Sequence, residues 1–206
     1  MNRLAKLGLA AAAGALALGT ARQRAAPSAC PYSQRWLLLF PRPGLTRARL
    51  AAILEPRAGE RLLEIGPGPG HFAFAMAERV GTRGTVAALD LQQEMLDALG
   101  AGARRRGLDN VELRQGDATA LPYEDSSFDG AVLVTVLGEI PDQDAALLEL
   151  RRVLRPGGRV VFGETVLDPH LVPLGSLKRR AEAAGLRFER TAGLPPFGFY
   201  ARFAAP

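Results

Sequence analysis

Arg61-Leu-Leu-Glu-Ile-Gly-Pro-Gly-Pro-Gly70 joins a short aliphatic run directly to a turn of alternating glycine and proline. Residues 61–65 have the length and apolar content of a buried strand. The glycines Gly66, Gly68 and Gly70 permit a tight turn and let a ligand reach the backbone. His71 to Val80 then reads as a helix, with Phe72, Ala75, Met76 and Arg79 spaced for one buried face. A strand passing through a glycine turn into a helix is the opening unit of a parallel sheet, and the flanking segments repeat it.

Upstream, Leu45 to Leu54 is a short amphipathic helix closed by Glu55-Pro56. Downstream, Thr85 to Leu89 is a second strand that ends on Asp90. Gln92 to Arg106 is helical, with Met95, Leu96, Leu99 and Ala103 on one side. Val111 to Gln115 is a third strand, running into Gly116-Asp117. Phe128 to Val134 is the most apolar strand and therefore central. Pro141 to Leu154 is a helix carrying Leu147, Leu150 and Leu154 on one face, stopped by Pro156-Gly157-Gly158. Arg159 to Glu164 is the fifth strand, and Leu174 to Ala184 a last helix capped by Gly185. Leu186 to Thr191 and Gly198 to Phe203 follow as two strands with no helix between them. The alternation predicts an α/β, doubly wound, parallel sheet covered on both faces. The ending predicts an antiparallel strand inserted near one edge.

The 206 residues are 48% apolar and 23% charged, a globular composition. One cysteine, Cys30, and two histidines, His71 and His170, exclude a disulfide framework and a Cys/His zinc cluster, and no metal is expected. The formal charge is +5, with arginine supplying all but Lys6 and Lys178 of the cations. They are scattered. The longest run, Arg104-Arg105-Arg106, lies on a helix without interleaved aromatics, so no nucleic-acid partner is expected.

Residues 1–29 form an apolar leader. Met1 to Lys6 is basic, and Leu7 to Gly19 is uncharged but shorter than the roughly 20 residues that span a bilayer. A secretory signal, a membrane-surface anchor and a start codon placed too early all fit it. Residues 30–60 form an N-terminal cap, and residues 61–206 the remaining domain. In the cap, Tyr32, Trp36 and Phe40 share one helical face, either covering the core or forming an apolar mouth for a hydrophobic acceptor.

Ligands of doubly wound sheets bind beyond the carboxyl ends of the strands, where strand order reverses. Here those ends carry Glu64 to Gly70, Asp90, Asp117, Val134 to Ile140 and Glu164 to His170. Asp90, 24 residues after Gly66, is placed to accept the hydroxyl hydrogens of a ribose. Asp117 is placed to meet an exocyclic amine such as that of adenine. A nicotinamide dinucleotide would require a third glycine where His71 stands, and Pro67 and Pro69 remove amides that a pyrophosphate would use. A nucleoside without phosphates fits better.

These residues resemble the class I S-adenosylmethionine-dependent methyltransferases. Leu62-Leu-Glu-Ile-Gly-Pro-Gly-Pro-Gly70 resembles the family's first motif, Asp90 its ribose-binding acid, and Gly116-Asp117-Ala118 its adenine-side motif. Leu121 to Asp129 resembles the segment leading into the fourth strand. Arg152-Val-Leu-Arg-Pro-Gly-Gly158 resembles the signature of the branch containing quinone and phospholipid methyltransferases. The likeness covers about residues 45–203. It implies a seven-stranded Rossmann-like sheet with an antiparallel last strand, and S-adenosyl-L-methionine as cofactor. Carried over position by position, it implies Glu64, Gly66, Gly68 and Gly70 around the methionine and sulfonium. Asp90 would take the ribose, Leu91 the adenine face, Asp117 and Ala118 the adenine edge, and Thr135 the place beneath the cofactor.

Methyl transfer from a sulfonium needs alignment first, and a base where the nucleophile must lose a proton. Glu139, just beyond strand four, and His170, after strand five, are the candidate bases. The branch often places a histidine where Glu139 stands, and a solvent-facing glutamate and a loop histidine are the plain structural alternatives. His71 reads as a loop or capping residue near the cofactor. The resemblance implies an S-adenosylmethionine-dependent enzyme moving a methyl group to an N, O or S atom of an apolar or lipid-like small molecule. The cytosolic origin of the methyl donor argues for a cytoplasmic protein, held at the cytoplasmic membrane face through residues 1–20. The alternatives are a soluble small-molecule methyltransferase with a mis-called N-terminus, and a nucleoside-binding protein without turnover.

Overall fold

The computed structural model describes residues 27–33, 42, 44–195 and 197–206. The stretch from Leu7 to Gly19, and Trp36 and Phe40 of the expected cap, lie outside the described residues. The elements follow in chain order as α1 (Arg47–Leu54), β1 (Arg61–Ile65), α2 (Ala73–Val80), β2 (Thr85–Asp90), α3 (Gln93–Arg106) and β3 (Val111–Gln115). Then come β4 (Phe128–Val134), a 3-10 turn (Leu137–Glu139), α4 (Gln143–Val153), β5 (Leu154–Glu164), α5 (Leu174–Ala183), β6 (Arg187–Leu194) and β7 (Gly198–Ala204).

The seven strands form one sheet in the order β3-β2-β1-β4-β5-β7-β6. β1 to β5 are parallel, and β7 inserts antiparallel between β5 and β6. Strand order therefore reverses between β1 and β4, which sets the crevice at their carboxyl ends. The central position of β4 follows from its apolar run, buried at all but one residue. Alternate residues of the inner strands feed two cores. Leu63, Ile65 and Leu133 pack with α4 and α5 through Leu147, Leu150 and Leu177. Leu62, Val86 and Val132 pack with α1 to α3 through Leu50, Phe74 and Leu99 on the other face. Burial on both faces explains why these strands read as continuous apolar runs.

Local chemistry caps the helix ends. Thr46 caps α1 by accepting from the Arg49 amide at 3.2 Å, and Asp142 caps α4 by accepting from Ala145 at 2.9 Å. Gly107 ends α3 in the left-handed region. α1 is fastened to the sheet by Arg159, 7% exposed. Its guanidinium donates to the carbonyls of Leu54, Glu55 and Asp129 and pairs with the Glu60 carboxylate.

Two sequence expectations change. α2 begins at Ala73, because the glycine turn continues through Phe72. Its buried face is consequently Ala73, Phe74, Met76, Ala77 and Val80, with Ala75 half-buried and Arg79 exposed. The Phe74 ring fills the space above Gly70 and Gly102, where a Cβ would lie 2.5 Å and 2.7 Å from it. Pro156-Gly157-Gly158 does not stop α4. Leu154 is already extended and paired with Phe128, so β5 starts there and accommodates the Pro-Gly-Gly stretch at a bulge.

Among the described residues no helix is long and apolar enough to cross a membrane. Among them, too, no group of three or more His, Cys, Asp or Glu side chains is placed to hold a metal ion.

Candidate functional site

A cavity of about 250 Å³ opens at the carboxyl ends of β1, β2 and β4, beside the reversal of strand order. Its floor is the glycine turn. Gly66 adopts φ +65° and a Cβ there would collide with Val136, so the turn and the start of the β4 loop close on each other only with glycine. Gly68 and Gly70 also adopt positive φ, at 53° and 94°.

Glu64, the fourth residue of β1, lines this cavity at 2% exposure, and among the described residues its Oε2 has no hydrogen-bond partner. Burial, and secondarily the charge of Asp90, pushes its carboxyl up to about 8. A buried, unsatisfied carboxyl calls for a missing partner, and a cation is the one that would return it to its ionised form. Asp90, at the end of β2, is 8% exposed and accepts the Gln92 amide at 3.0 Å. Burial raises its pKa, while the backbone amides of Gln92, Gly68 and Leu91 hold it down.

The other sequence-expected residues assemble around these two. Leu91, 53% exposed, and Met95 line the side beyond β2. Ala118 is buried in the wall, and Asp117 lies at the exposed rim with Oδ1 accepting from Thr119 at 2.8 Å. Thr135 follows β4 at φ +55°, an unusual conformation for a β-branched residue, held by its amide donating to Gly163 at 2.8 Å. His71 lines the rim and meets Phe72 edge-on at 4.7 Å. Burial lowers its pKa, helped by Arg47 and Arg42.

The two candidate bases separate. Glu139 lines the cavity from the 3-10 turn, and its Oε2 accepts the Cys30 amide at 3.3 Å. Burial first and Asp168 second push its carboxyl up to about 8, against the Cys30 amide and Arg42. His170 does not line the cavity, contrary to the expectation that it faces the crevice. The Asp168 carboxylate accepts the His170 amide at 2.8 Å, folding the loop inward until the His170 carbonyl abuts Gly138. Its ring is 8% exposed, with Nδ1 3.8 Å from Asp168.

The residues the sequence did not single out come from the N-terminal side. Ala29, Cys30 and Arg42 line the cavity, and Gln92 holds the segment in place. The Gln92 side chain donates to the Cys30 carbonyl at 2.8 Å and accepts the Tyr32 amide at 2.9 Å. Burial and Glu139 raise the Cys30 thiol's pKa, against Arg42.

The donor set fits S-adenosylmethionine: an unpartnered buried carboxyl for a cationic methionine end, a strand-end carboxylate for ribose hydroxyls, and an apolar wall for a base. Pro67 and Pro69 leave few amides for a phosphate.

The fold and this site define a class I S-adenosylmethionine-dependent methyltransferase. Residues 56–185 match the family model described as a methyltransferase domain, and the chain belongs to that family. An uncharacterised 37.1 kDa protein in transposon Tn4556 of Streptomyces fradiae is 44% identical over 115 residues, 56% of this chain and 33% of that protein. Demethylmenaquinone methyltransferase of Lactobacillus johnsonii is 41% identical over 113 residues, 54% of this chain and 46% of that enzyme. The chain thus aligns with less than half of the length of these two relatives. A SAM dependent methyltransferase from Aquifex aeolicus superposes with a TM-score of 0.79 at 20% identity, covering 86% of this chain and 100% of that one.

Proposed function

We propose that the chain transfers the methyl group of S-adenosylmethionine to an apolar, quinone-like or lipid-like small molecule. The observation that carries this is that two carboxyls, Glu64 buried and Glu139 half-buried, line one cavity. Glu64 Oε2 has no partner among the described residues, and Glu139 comes from the 3-10 turn after β4. The same cavity has apolar wall residues, among them Phe72, Val134, Val136 and Ile140. The demethylmenaquinone methyltransferases among the relatives support an acceptor of the quinone type.

When bound, the cofactor supplies a methyl group already activated on a sulfonium. The chain's part is then positioning and proton management. Glu64 offsets the positive charge of the methionine end, and Asp90 accepts from the ribose hydroxyls. Leu91, Met95 and Ala118 flank the adenine, with Asp117 at its edge. The glycine turn and Thr135 bring backbone against the cofactor without side-chain obstruction. Glu139 takes the proton of an acceptor O–H or N–H. An acceptor of this kind resides in lipid, so we place the protein at the cytoplasmic face of a membrane, with the stretch from Leu7 to Gly19 as one means of contact.

Calorimetric titration of the full chain with S-adenosylhomocysteine, with NADH as control, tests the cofactor. Transfer of a labelled methyl group to demethylated naphthoquinols and to polar amines and alcohols tests the acceptor. Binding of S-adenosylhomocysteine alone and transfer to the quinols are expected. Transfer only to polar acceptors overturns the apolar acceptor, and binding without any transfer points to a nucleoside-binding protein.

A further inference from the structure

The carboxyl end of the sheet carries a second feature that the cofactor site does not use. Leu194 and Phe197 flank the β6–β7 turn at 73% and 67% exposure, and Val166 and Leu167 follow β5 at 50% and 65%. The two loops are tied together, because the Thr165 hydroxyl donates to the Phe197 carbonyl at 2.8 Å. Single exposed apolar side chains are ordinary, but four on two adjoining loops make a patch.

Beside this patch the chain is basic. Gly44 packs so closely on Gly198 that a Cβ on it would lie 2.6 Å from the Gly198 carbonyl oxygen. The Tyr200 hydroxyl donates to the Thr46 carbonyl at 3.4 Å. These contacts set Arg42, Arg47 and Arg49 next to the β6–β7 turn, with Arg47 and Arg49 exposed. Arg42 lines the cavity itself. The carboxyls of the same region turn inward: Glu164 is 1% exposed and the Asp168 side chain 9%, and burial raises the pKa of both. The outward charge is therefore positive. Loop tips bearing aliphatic and aromatic side chains, rimmed by arginines, suit a lipid interface, where the apolar tips enter the acyl boundary and cations meet headgroup phosphates.

We propose that this face docks on an anionic lipid bilayer through Val166, Leu167, Leu194 and Phe197, with Arg47 and Arg49 on the lipid phosphates, so that the cavity mouth opens toward the membrane. The proposal rests on the apolar acceptor assigned above and names where that acceptor enters. A protein partner would use the same patch without needing the arginines to face phosphate.

Co-sedimentation of the full chain with extruded vesicles of phosphatidylcholine, with and without phosphatidylglycerol, tests it. The partition coefficient is expected to be at least about tenfold higher with phosphatidylglycerol. The double variant Leu167→Ser/Phe197→Ser should lose at least about tenfold on anionic vesicles, given the apolar area removed. Arg47→Gln/Arg49→Gln should abolish the preference for phosphatidylglycerol. Both variants should keep the affinity for S-adenosylhomocysteine, read by calorimetry on the same preparations, which also reports that they are folded. Partition unchanged in either variant overturns the proposal, including the case in which residues 1–20 supply all the binding. So does a wild-type chain that binds S-adenosylhomocysteine but neither kind of vesicle. Vesicle binding needs no cofactor, so failure of the methyltransferase assignment shows separately, as a lack of S-adenosylhomocysteine binding.

Discussion

Gln92 and Cys30 join the two ends of the cavity. The Gln92 side-chain amide donates to the Cys30 carbonyl at 2.8 Å, and its own backbone amide donates to Asp90 Oδ1 at 3.0 Å. The Cys30 amide in turn donates to Glu139 Oε2 at 3.3 Å. One residue of the N-terminal segment thus spans from the carboxylate assigned to the ribose to the carboxyl on the acceptor side.

Gln92→Ala removes both side-chain bonds to this segment. Each is worth about 1 kcal/mol net, so S-adenosylhomocysteine should bind roughly three- to thirtyfold more weakly. If the segment lies over the bound ligand, the change should lie mainly in dissociation. Stopped-flow release from the variant and the wild type measures it, and equal release rates would remove Gln92 from the cofactor site.

Asp90→Ala should cost more. If Asp90 accepts the ribose hydroxyls, two hydrogen bonds to a charged acceptor are lost, and the affinity for S-adenosylhomocysteine should fall by more than about tenfold. Calorimetry at pH 7.5 gives the value, and an unchanged affinity would sink the assignment of Asp90 to the ribose.

Glu64 links cofactor binding to pH. Burial raises its pKa from 4.5 to about 8, so the ligand-free folded chain holds a proton that the unfolded chain releases. That difference lowers stability as pH rises from about 4.5 toward 8, by at most about 1.4 kcal/mol per pH unit for one group. Glu139 and Glu164 act with the same sign. The melting temperature of the ligand-free protein should therefore fall between pH 5 and 8, less steeply in Glu64→Gln. A sulfonium beside Glu64 favours its ionised form, so S-adenosylmethionine should displace about one proton at pH 7. Calorimetry in phosphate and in Tris would show it as different apparent enthalpies, and equal enthalpies would refute the pairing.

Much of this was legible from residues 61–70. The aliphatic run fixes β1, the glycines fix the turn, and Asp90 and Asp117 fall at the next two strand ends by periodicity alone. α2 starts later than its pattern suggests: Phe72 and Met76 are buried as that pattern has it, but Phe72 belongs to the turn, and Ala75 and Arg79 leave the buried face. Phe72 and Phe74 are both apolar, and only the space above Gly70 and Gly102 shows that Phe74 fills the interior of that layer. His170 was misplaced because a strand-end position says nothing about a loop folding back on itself, which the Asp168 carboxylate enforces here. Gln92 was invisible for another reason. Its partners are main-chain atoms about 60 residues away, and backbone contacts leave no signature in side-chain pattern.

Arg159→Ala should test the clamp under α1. The arginine satisfies three carbonyls and pairs with Glu60 while 7% exposed. Its removal leaves buried acceptors and a partly buried carboxylate without partners, a loss of about 3 to 5 kcal/mol. Urea denaturation gives the figure, and a loss below about 1 kcal/mol would mean that water replaces the guanidinium.

Glu139 has two possible duties that one substitution separates. As a proton acceptor it must be ionised, and its carboxyl is pushed up to about 8, so kcat/KM should climb with pH and level off above that value. As a structural group it only accepts the Cys30 amide, at 3.3 Å. Glu139→Gln keeps an oxygen that can accept this bond and loses the basicity. If Glu139 is the base, the variant should lose about 10²- to 10⁴-fold in kcat, with little change in S-adenosylhomocysteine affinity and no rise in rate toward pH 8. If it serves only to hold the segment, the variant should keep both its rate and its pH profile. The pH profile is the sharper readout, because misplacement of the N-terminal segment can lower a rate but does not erase a titration.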